Sequence, residues 1–312
     1  MLVPSSPAAK RAVRVVTIHY RAHDGVARRA FVLMPAWYRP GRNKPLPLIV
    51  TPHGRGVTAR VNASLWGALP ARGPFIVISP EGEGRKLRLY SWGSAGQVED
   101  LARMPVILHR TLPWVHVDQH RIYAFGGSMG GQETLLLLAR HPHLLAGAAA
   151  FDAVSDFARQ YRSFPQVPCN AACRHRGGPL GRRLQKLARK EIGGSPKSRP
   201  LSYETRSPMT YARRIATSCV PLQLWWSVKD RIVVNQKQQT GAFYRELVRL
   251  NPGAPVSAFV GTWRHSAEMH ANARLPAALA AFGLIPPVKH ATSGLHATFP
   301  PNAKRCVDVR SA

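Results

Sequence analysis

Ile122-Tyr-Ala-Phe-Gly-Gly-Ser-Met-Gly-Gly131 decides how this chain is read. It reads as a short apolar strand, a glycine-crowded turn and a helix starting near Gln132. Gly126, Ser128 and Gly130 fit the Gly-x-Ser-x-Gly spacing of a nucleophile elbow. The chemistry accounts for that spacing. A serine that attacks a carbonyl must project from a sharp strand-to-helix turn in strained geometry, so residues without a β-carbon are needed two positions to either side. The helix that follows points its N-terminal amides at the centre where negative charge develops. Small residues also cluster in ordinary turns; the strand and helix patterns on both sides are what specify the elbow.

On the N-terminal side, Val13 to Tyr20 alternates apolar and polar residues, Asp24-Gly25 signals a hairpin, and Arg29 to Met34 is the returning strand. Leu46 to Thr51 and Pro74 to Ser79 are apolar runs fit for buried strands, the first leading directly into His53-Gly54-Arg55-Gly56. Gly67 to Arg72 reads as a helix end. Val98 to Thr111 has helical periodicity, with Leu101, Val106 and Ile107 placed to face a core, and Arg121 to Phe125 enters the elbow. On the C-terminal side, Gln132 to Arg140 is the helix leaving it, and Leu145 to Phe151 a strand ending at Asp152. Val220 to Trp226 and Val256 to Val260 are further strands. Gln236 to Leu250 is an amphipathic helix and Ala267 to Phe282 the closing helix. Strands alternating with helices imply a mainly parallel sheet covered on both faces, with an antiparallel hairpin at one edge. Ligands of such sheets bind at the carboxyl ends of the strands, where the elbow, the His53-Gly54 turn and Asp152 all fall.

Between about residues 156 and 210 the pattern breaks. From Arg174 to Lys190 there are seven Lys and Arg residues and no acidic one, and Leu180, Leu184, Leu187 and Ile192 lie on one face of a short basic helix. The stretch reads as an insertion, either a cap over the carboxyl edge of the sheet or a surface excursion. The domain then spans 13–285 and the tail 286–312 is expected to be irregular.

A serine nucleophile needs a base, and the base an orienting acid. Asp230 follows one predicted strand and His265 the next. The order Ser128, Asp230, His265 is that of α/β-hydrolase triads. Asp152 is the reserve acid and His270 the reserve base. The oxyanion hole calls for two convergent backbone amides, expected from Met129 and from Arg55 in the loop opened by His53-Gly54. His53, Trp226 and Trp263 are candidate substrate contacts, with bracing of the loop as the alternative for His53; Trp225 beside them either joins such a pocket or packs in the core.

Several blocks resemble α/β-hydrolases of the prolyl-oligopeptidase-like serine esterase and peptidase group: Pro47 to Gly54, Val117 to Tyr123, the Gly126 to Gly131 elbow, Arg206 to Tyr211 and Asp230 to Val234. The resemblance implies an α/β-hydrolase fold over roughly residues 13–285. It also implies an acyl-enzyme mechanism through Ser128, His265 and Asp230, with no metal and no organic cofactor. Two departures bear on substrate: there is no room for the N-terminal propeller of large oligopeptidases, and the paired glutamates with which dipeptidyl peptidases hold a substrate amine are not found. Both point to cleavage of a carboxylic ester, in a small molecule or a polymer, with peptide cleavage as the alternative.

Composition bounds the rest. Of 312 residues, 45% are hydrophobic and 19% charged, as in a globular domain with a large core. Lys and Arg number 44 against 15 Asp and Glu, a formal charge of +29. That balance raises nucleic acid, anionic membrane or acidic polymer as partners. No nucleic-acid motif is present and aromatic residues do not interleave with the basic ones, so a basic solvated surface is the simpler account and polyanion binding through the insertion the lesser one. Cys169, Cys173, Cys219 and Cys306 have no metal or redox spacing; Cys169 and Cys173 either bridge a loop or stay free. Met1 to Lys10 lacks the apolar core of a signal peptide, no run is long enough to span a bilayer, and the compartment stays open.

Overall fold

The apolar runs of the sequence become strands of one nine-stranded sheet, because each can bury both faces only between layers of helix. The computed structural model describes residues 12–41, 44–169, 171–175, 180–289, 293–299 and 306. The strands are β1 (Val13–Arg21), β2 (Ala27–Pro35), β3 (Leu46–Val50), β4 (Ile76–Pro80), β5 (Val117–Gly127), β6 (Gly147–Phe151), β7 (Leu222–Ser227), β8 (Val256–Gly261) and β9 (His296–Thr298). Their order is β1-β2-β4-β3-β5-β6-β7-β8-β9. From β4 through β3 to β8 all neighbours are parallel, while the β1–β2 hairpin and β9 pair antiparallel at the two edges.

The period-two alternation of strand side chains sorts the core into two layers. Leu48, Val50, Ile122, Ala124, Ala148, Ala150, Leu222 and Leu224 point to one face. There they meet the helices Ala95–Thr111, Met129–Arg140 and Thr240–Leu250 through Leu101, Met104, Leu108, Leu136, Phe243 and Leu247. Ile49, Tyr123, Phe125, Ala149, Phe151 and Trp225 point to the other, against Ala59–Ser64 and Leu275–Ala281. Truncating one of these fully buried leucines to alanine costs roughly 2–5 kcal/mol. The hairpin is tied to the layer beneath it by Asp100, a fully buried carboxylate. It accepts from the His23 amide (2.8 Å) and pairs with His23 Nδ1 (2.7 Å), Arg28 (3.3 Å) and Arg103 (3.2 Å).

Helix boundaries differ from the sequence reading where local signals compete. The helix expected from Val98 begins at Ala95, capped by Ser94, whose hydroxyl accepts from the Gln97 amide at 3.4 Å. Val106 is on its outer face, 52% exposed, and Met104 and Leu108 hold the core positions instead. The closing helix is Leu275–Ala281 only; Ala267 to Arg274 is a run of turns. Pro276 lies in its first turn, the place where a missing N–H costs nothing. The tail is not wholly irregular: β9 adds to the sheet edge at β8, and Cys306 is bonded to Cys219. Nothing in a three-residue strand announces itself by pattern. Cys169 and Cys173 form a second disulfide.

The 156–210 stretch packs as a cap. Helices Phe157–Ser163 and Gly181–Ile192 place Phe157, Tyr161, Leu184, Ala188 and Ile192 in a third apolar cluster. Met129, Val154 and Val233, at the carboxyl ends of β5 to β7, belong to the same cluster. Leu180 precedes the basic helix and is exposed, so Ala188 rather than Leu180 completes its buried face. Arg182, Arg183, Lys186, Arg189 and Lys190 face outward. Among the described residues no helix is long and apolar enough to cross a membrane.

Cys219–Cys306 closes a loop of 87 residues, which in the chain-entropy account stabilises the fold by about 4–5 kcal/mol. Serine at both positions is expected to lower the thermal midpoint on the order of 10 °C in calorimetry. An unchanged midpoint would show that the tail bond does not restrain the domain.

Candidate active site

Ser128 stands between the end of β5 and the helix Met129–Arg140, with φ 59° and ψ −123°. That left-handed backbone is costly for a residue with a side chain and persists only where the surroundings enforce it. Here they do. The Ser128 amide donates to Phe151 O (2.8 Å) and its carbonyl accepts from the Gln132 amide (3.0 Å). A β-carbon on Gly126 would come within 2.3 Å of Gly130 O, and one on Gly130 within 2.2 Å of Pro52 O. Only glycine fits at either position. The close approach of Gly130 to Pro52 also draws the His53–Gly56 turn against the elbow, so that a β-carbon on Gly54 would lie 3.9 Å from Ser128 Cβ.

His53 is 1% exposed, its Nδ1 near Gly54 O (2.9 Å) and its Nε2 accepting from the Gly82 amide (3.0 Å). Burial pushes its pKa down, against the two backbone contacts that raise it. It is a brace of the turn and not a substrate contact. Met129, first residue of the elbow helix, is buried, and its sulfur accepts from the Trp92 amide (3.3 Å). Glu133, one turn on, accepts from the Ser91 hydroxyl and the Gly93 amide (3.4 Å); burial raises its carboxyl to about 7. These contacts fasten the 91–93 loop to the elbow helix.

The candidate acid and base follow β7 and β8. Asp230, beyond β7, is 7% exposed and receives His265 Nδ1 at 2.8 Å. Its other donors are the Ile232 and Val233 amides (2.8 and 3.1 Å) and the Gln236 side chain (3.1 Å). Burial alone would raise Asp230, but the His265 charge and these hydrogen bonds outweigh it and hold the carboxyl below its usual value. For His265 burial works downward, and the Asp230 and Asp152 carboxylates overcome it, so the imidazole sits above 6.5. With Nδ1 donating to Asp230, the neutral ring carries its lone pair on Nε2. Ser266, the residue after His265, packs on the residue before Ser128: a β-carbon on Gly127 would be 3.2 Å from its hydroxyl. The base loop therefore lies directly against the elbow.

Asp152, expected as the reserve acid, is not bonded to the imidazole. It sits fully buried at the end of β6 with φ 45°. Its Oδ1 accepts from the Ser227 amide (2.8 Å), and its Oδ2 from the Trp263 indole (2.8 Å) and the Ser266 amide (2.7 Å). One carboxylate thus binds both the acid loop and the base loop. Burial raises it to about 6 despite the pull of His265. Trp263 spends its N–H on this link and is a support of the loop. Trp226 is 7% exposed among the core residues, ring to ring with Tyr244 at 6.4 Å, and does not line the site. His270 accepts from the Asn272 amide within a turn and takes no part. Ligand atoms of Asp152, Asp230 and His265 lie within 4.8 Å of one another, close enough for a metal ion. Yet each carboxylate oxygen already faces N–H donors, which a cation would have to displace.

Sequence reasoning did not find the anchoring role of Asp152, nor Gln236 behind Asp230, nor Glu191. The last is the first acid after the basic run and is fully buried, accepting from the Arg85, Lys86 and Leu87 amides (2.5, 2.8 and 2.9 Å). A lone acid closing a basic amphipathic helix was the available signal.

No protein-family model and no curated protein matches this chain. Solved structures do. A puromycin-hydrolyzing peptidase of Mycobacterium tuberculosis superimposes with TM-score 0.63 at 20% identity, over 93% of this chain and 42% of its own. The acylaminoacyl peptidase of Pyrococcus horikoshii gives 0.63 at 15%, over 88% and 41%. Porphyromonas gingivalis dipeptidyl peptidase 4 gives 0.61 at 19%, over 88% and 35%. The chain has the α/β-hydrolase fold. These neighbours are peptidases by name, and the chain spans about two fifths of their length.

Asp152→Asn removes a negative charge that raises His265 and weakens the tie between the two loops. The His265 imidazole titration, followed by NMR, is expected to move toward lower pH. An unmoved titration would reduce Asp152 to a packing role.

Proposed function

We propose that this chain is a serine hydrolase that cleaves acyl bonds through a covalent acyl-enzyme. The observation that carries the reading is the Asp230–His265 hydrogen bond on a loop packed against the residue before a serine in elbow geometry. His265 Nε2 takes the Ser128 hydroxyl proton as Oγ adds to the substrate carbonyl. Asp230 keeps the imidazole in the tautomer that leaves Nε2 free and stabilises the imidazolium. The carbonyl oxygen becomes an oxyanion, met by the amides of Met129 and Arg55; one such donor contributes about 3–4 kcal/mol. The imidazolium then protonates the leaving group as its bond to carbon breaks. Water, deprotonated by the same nitrogen, releases the acid and restores Ser128. None of these steps calls on a metal or an organic cofactor.

A peptide amide is the leading substrate class, supported by the peptidase names of the solved neighbours. Ester cleavage is the second reading, and a feature of the site favours it. Among the described residues both carboxylates of the site, Asp152 and Asp230, are engaged by N–H donors, and the further charge felt at His265 is the Arg55 cation. Neither carboxylate is free to hold a substrate ammonium.

A fluorophosphonate probe is expected to label Ser128 and to leave Ser128→Ala unlabelled. Labelling that persists in the variant, or fails in the native protein, would overturn the assignment. Because the neutral imidazole is the base and its pKa is raised, turnover should fall as pH drops through a midpoint above 6.5. One acyl group presented as a p-nitroanilide and as a p-nitrophenyl ester separates the substrate classes: turnover of the ester without the anilide would decide for an esterase.

A further inference from the structure

The turn that supplies the Arg55 amide also carries a cation that the protein does not pair. Arg55 stands between Gly54, next to Ser128, and Gly56, where a β-carbon would come 3.6 Å from the Tyr90 hydroxyl. Its side chain is half-buried, and burial disfavours its charge, with Tyr90 the one ionisable group opposing. Arginines are rarely taken out of water without a partner. Arg28, more deeply enclosed, has Asp24 and Asp100. Among the described residues Arg55 has no hydrogen bond or ion pair, and the Tyr90 hydroxyl has no hydrogen bond.

The loop bearing Tyr90 is built to hold that hydroxyl in place. Leu89 and Trp92, on either side, have φ of 62° and 43°, strain that a surrounding structure must maintain. The Gly56 amide donates to Leu89 O (2.9 Å), joining the two loops. Glu191 of the cap gathers the amides of Arg85 to Leu87 just upstream, and the Tyr90 ring packs on Trp92 at 5.3 Å. The Tyr90 hydroxyl thus lies over the turn that carries Arg55, the turn itself packs on Ser128, and the Arg55 charge is felt at His265; guanidinium and phenol are both donors and both without an acceptor.

We infer that Arg55 and Tyr90 form an anion subsite that takes a carboxylate of the substrate close to the scissile carbonyl. The inference rests on the Ser128 hydrolase reading for where that carbonyl lies. Charge-assisted hydrogen bonds from a guanidinium to a carboxylate are among the stronger polar contacts, and bidentate geometry makes them selective. The substrate class is thereby an acidic one: an acyl chain ending in a carboxylate, or a leaving group that carries one.

Three esters test this. They are p-nitrophenyl butyrate, which is neutral; mono-p-nitrophenyl glutarate, with the carboxylate on the acyl side; and 4-carboxyphenyl butyrate, with it on the leaving side. The readout is the ratio of kcat/KM for a charged ester to that for the neutral one within each protein, so that any change in the oxyanion turn cancels. The native enzyme is expected to favour one charged ester. Arg55→Gln should lower that ratio by about 10–100-fold, Tyr90→Phe by less, and Arg55→Lys should keep part of it. A ratio that is the same in native protein and Arg55→Gln overturns the subsite while leaving the hydrolase reading intact. If the native protein turns over none of the three, the fluorophosphonate label on Ser128 decides the hydrolase reading separately. Calorimetric titration with glutarate then decides: binding lost in Arg55→Gln supports the subsite, and no binding overturns it.

Discussion

The close approach of the elbow helix to the loop after β3 is the constraint on which the site depends. Gly130 and Pro52 O are so near that no side chain fits between them, and the same is true of Gly126 and Gly130. That contact forces Ser128 into its left-handed conformation and sets the first helical amide beside the turn of His53 to Gly56. Close-packed interiors make such geometry a matter of sterics before energetics. The buried layers of the sheet, in which β5 lies between β3 and β6, hold both sides of the contact in register.

Electrostatics adds a second layer of order. Asp152, Asp230 and His265 form one coupled group, in which each carboxylate raises the imidazole and the imidazole lowers each carboxylate. Their titration belongs to the group and not to any one member. The two acids divide the work by position. Asp230 meets the ring, whereas Asp152 meets the backbone on both sides of it, so that the acid and base loops move as one body. The buried carboxylates are tolerable because N–H donors meet their oxygens; without them, desolvation would drive them to the neutral form.

The cap extends the same logic. Glu191 ends a basic helix by collecting three successive amides of the 85–87 segment, and Glu133 and Met129 hold the next segment from below. Between these two anchors the chain adopts strained conformations at Leu89 and Trp92. These anchors flank Tyr90 and Arg55, in a protein of +29 formal charge where a half-buried cation without a partner is electrostatically costly. That is the setting in which an acidic substrate gains most from binding.

Much of the fold was legible in the sequence, because its signals are local. Alternation in Val13 to Tyr20, the apolar runs at Leu46 and Ile76, and the glycine spacing around Ser128 each report what their own neighbours must do. The placement of Ser128, Asp230 and His265 on strand ends, in that order, was legible for the same reason. What failed did so where distant parts of the chain compete. Val106 was misplaced by half a turn because an apolar residue on an outer face leaves the period ambiguous. The helix expected from Ala267 was cut short by Pro276 and by contacts with the helix around Leu65. His53 and Trp226 looked like substrate contacts because burial is a property of the assembled layers and not of the residue. The pairing of Cys219 with Cys306, the three donors on Asp152 and the unpaired state of Arg55 all join segments far apart in sequence. Local chemistry set the elements and the candidate triad; only the tertiary structure, through packing and desolvation, determined which polar groups found partners and which did not.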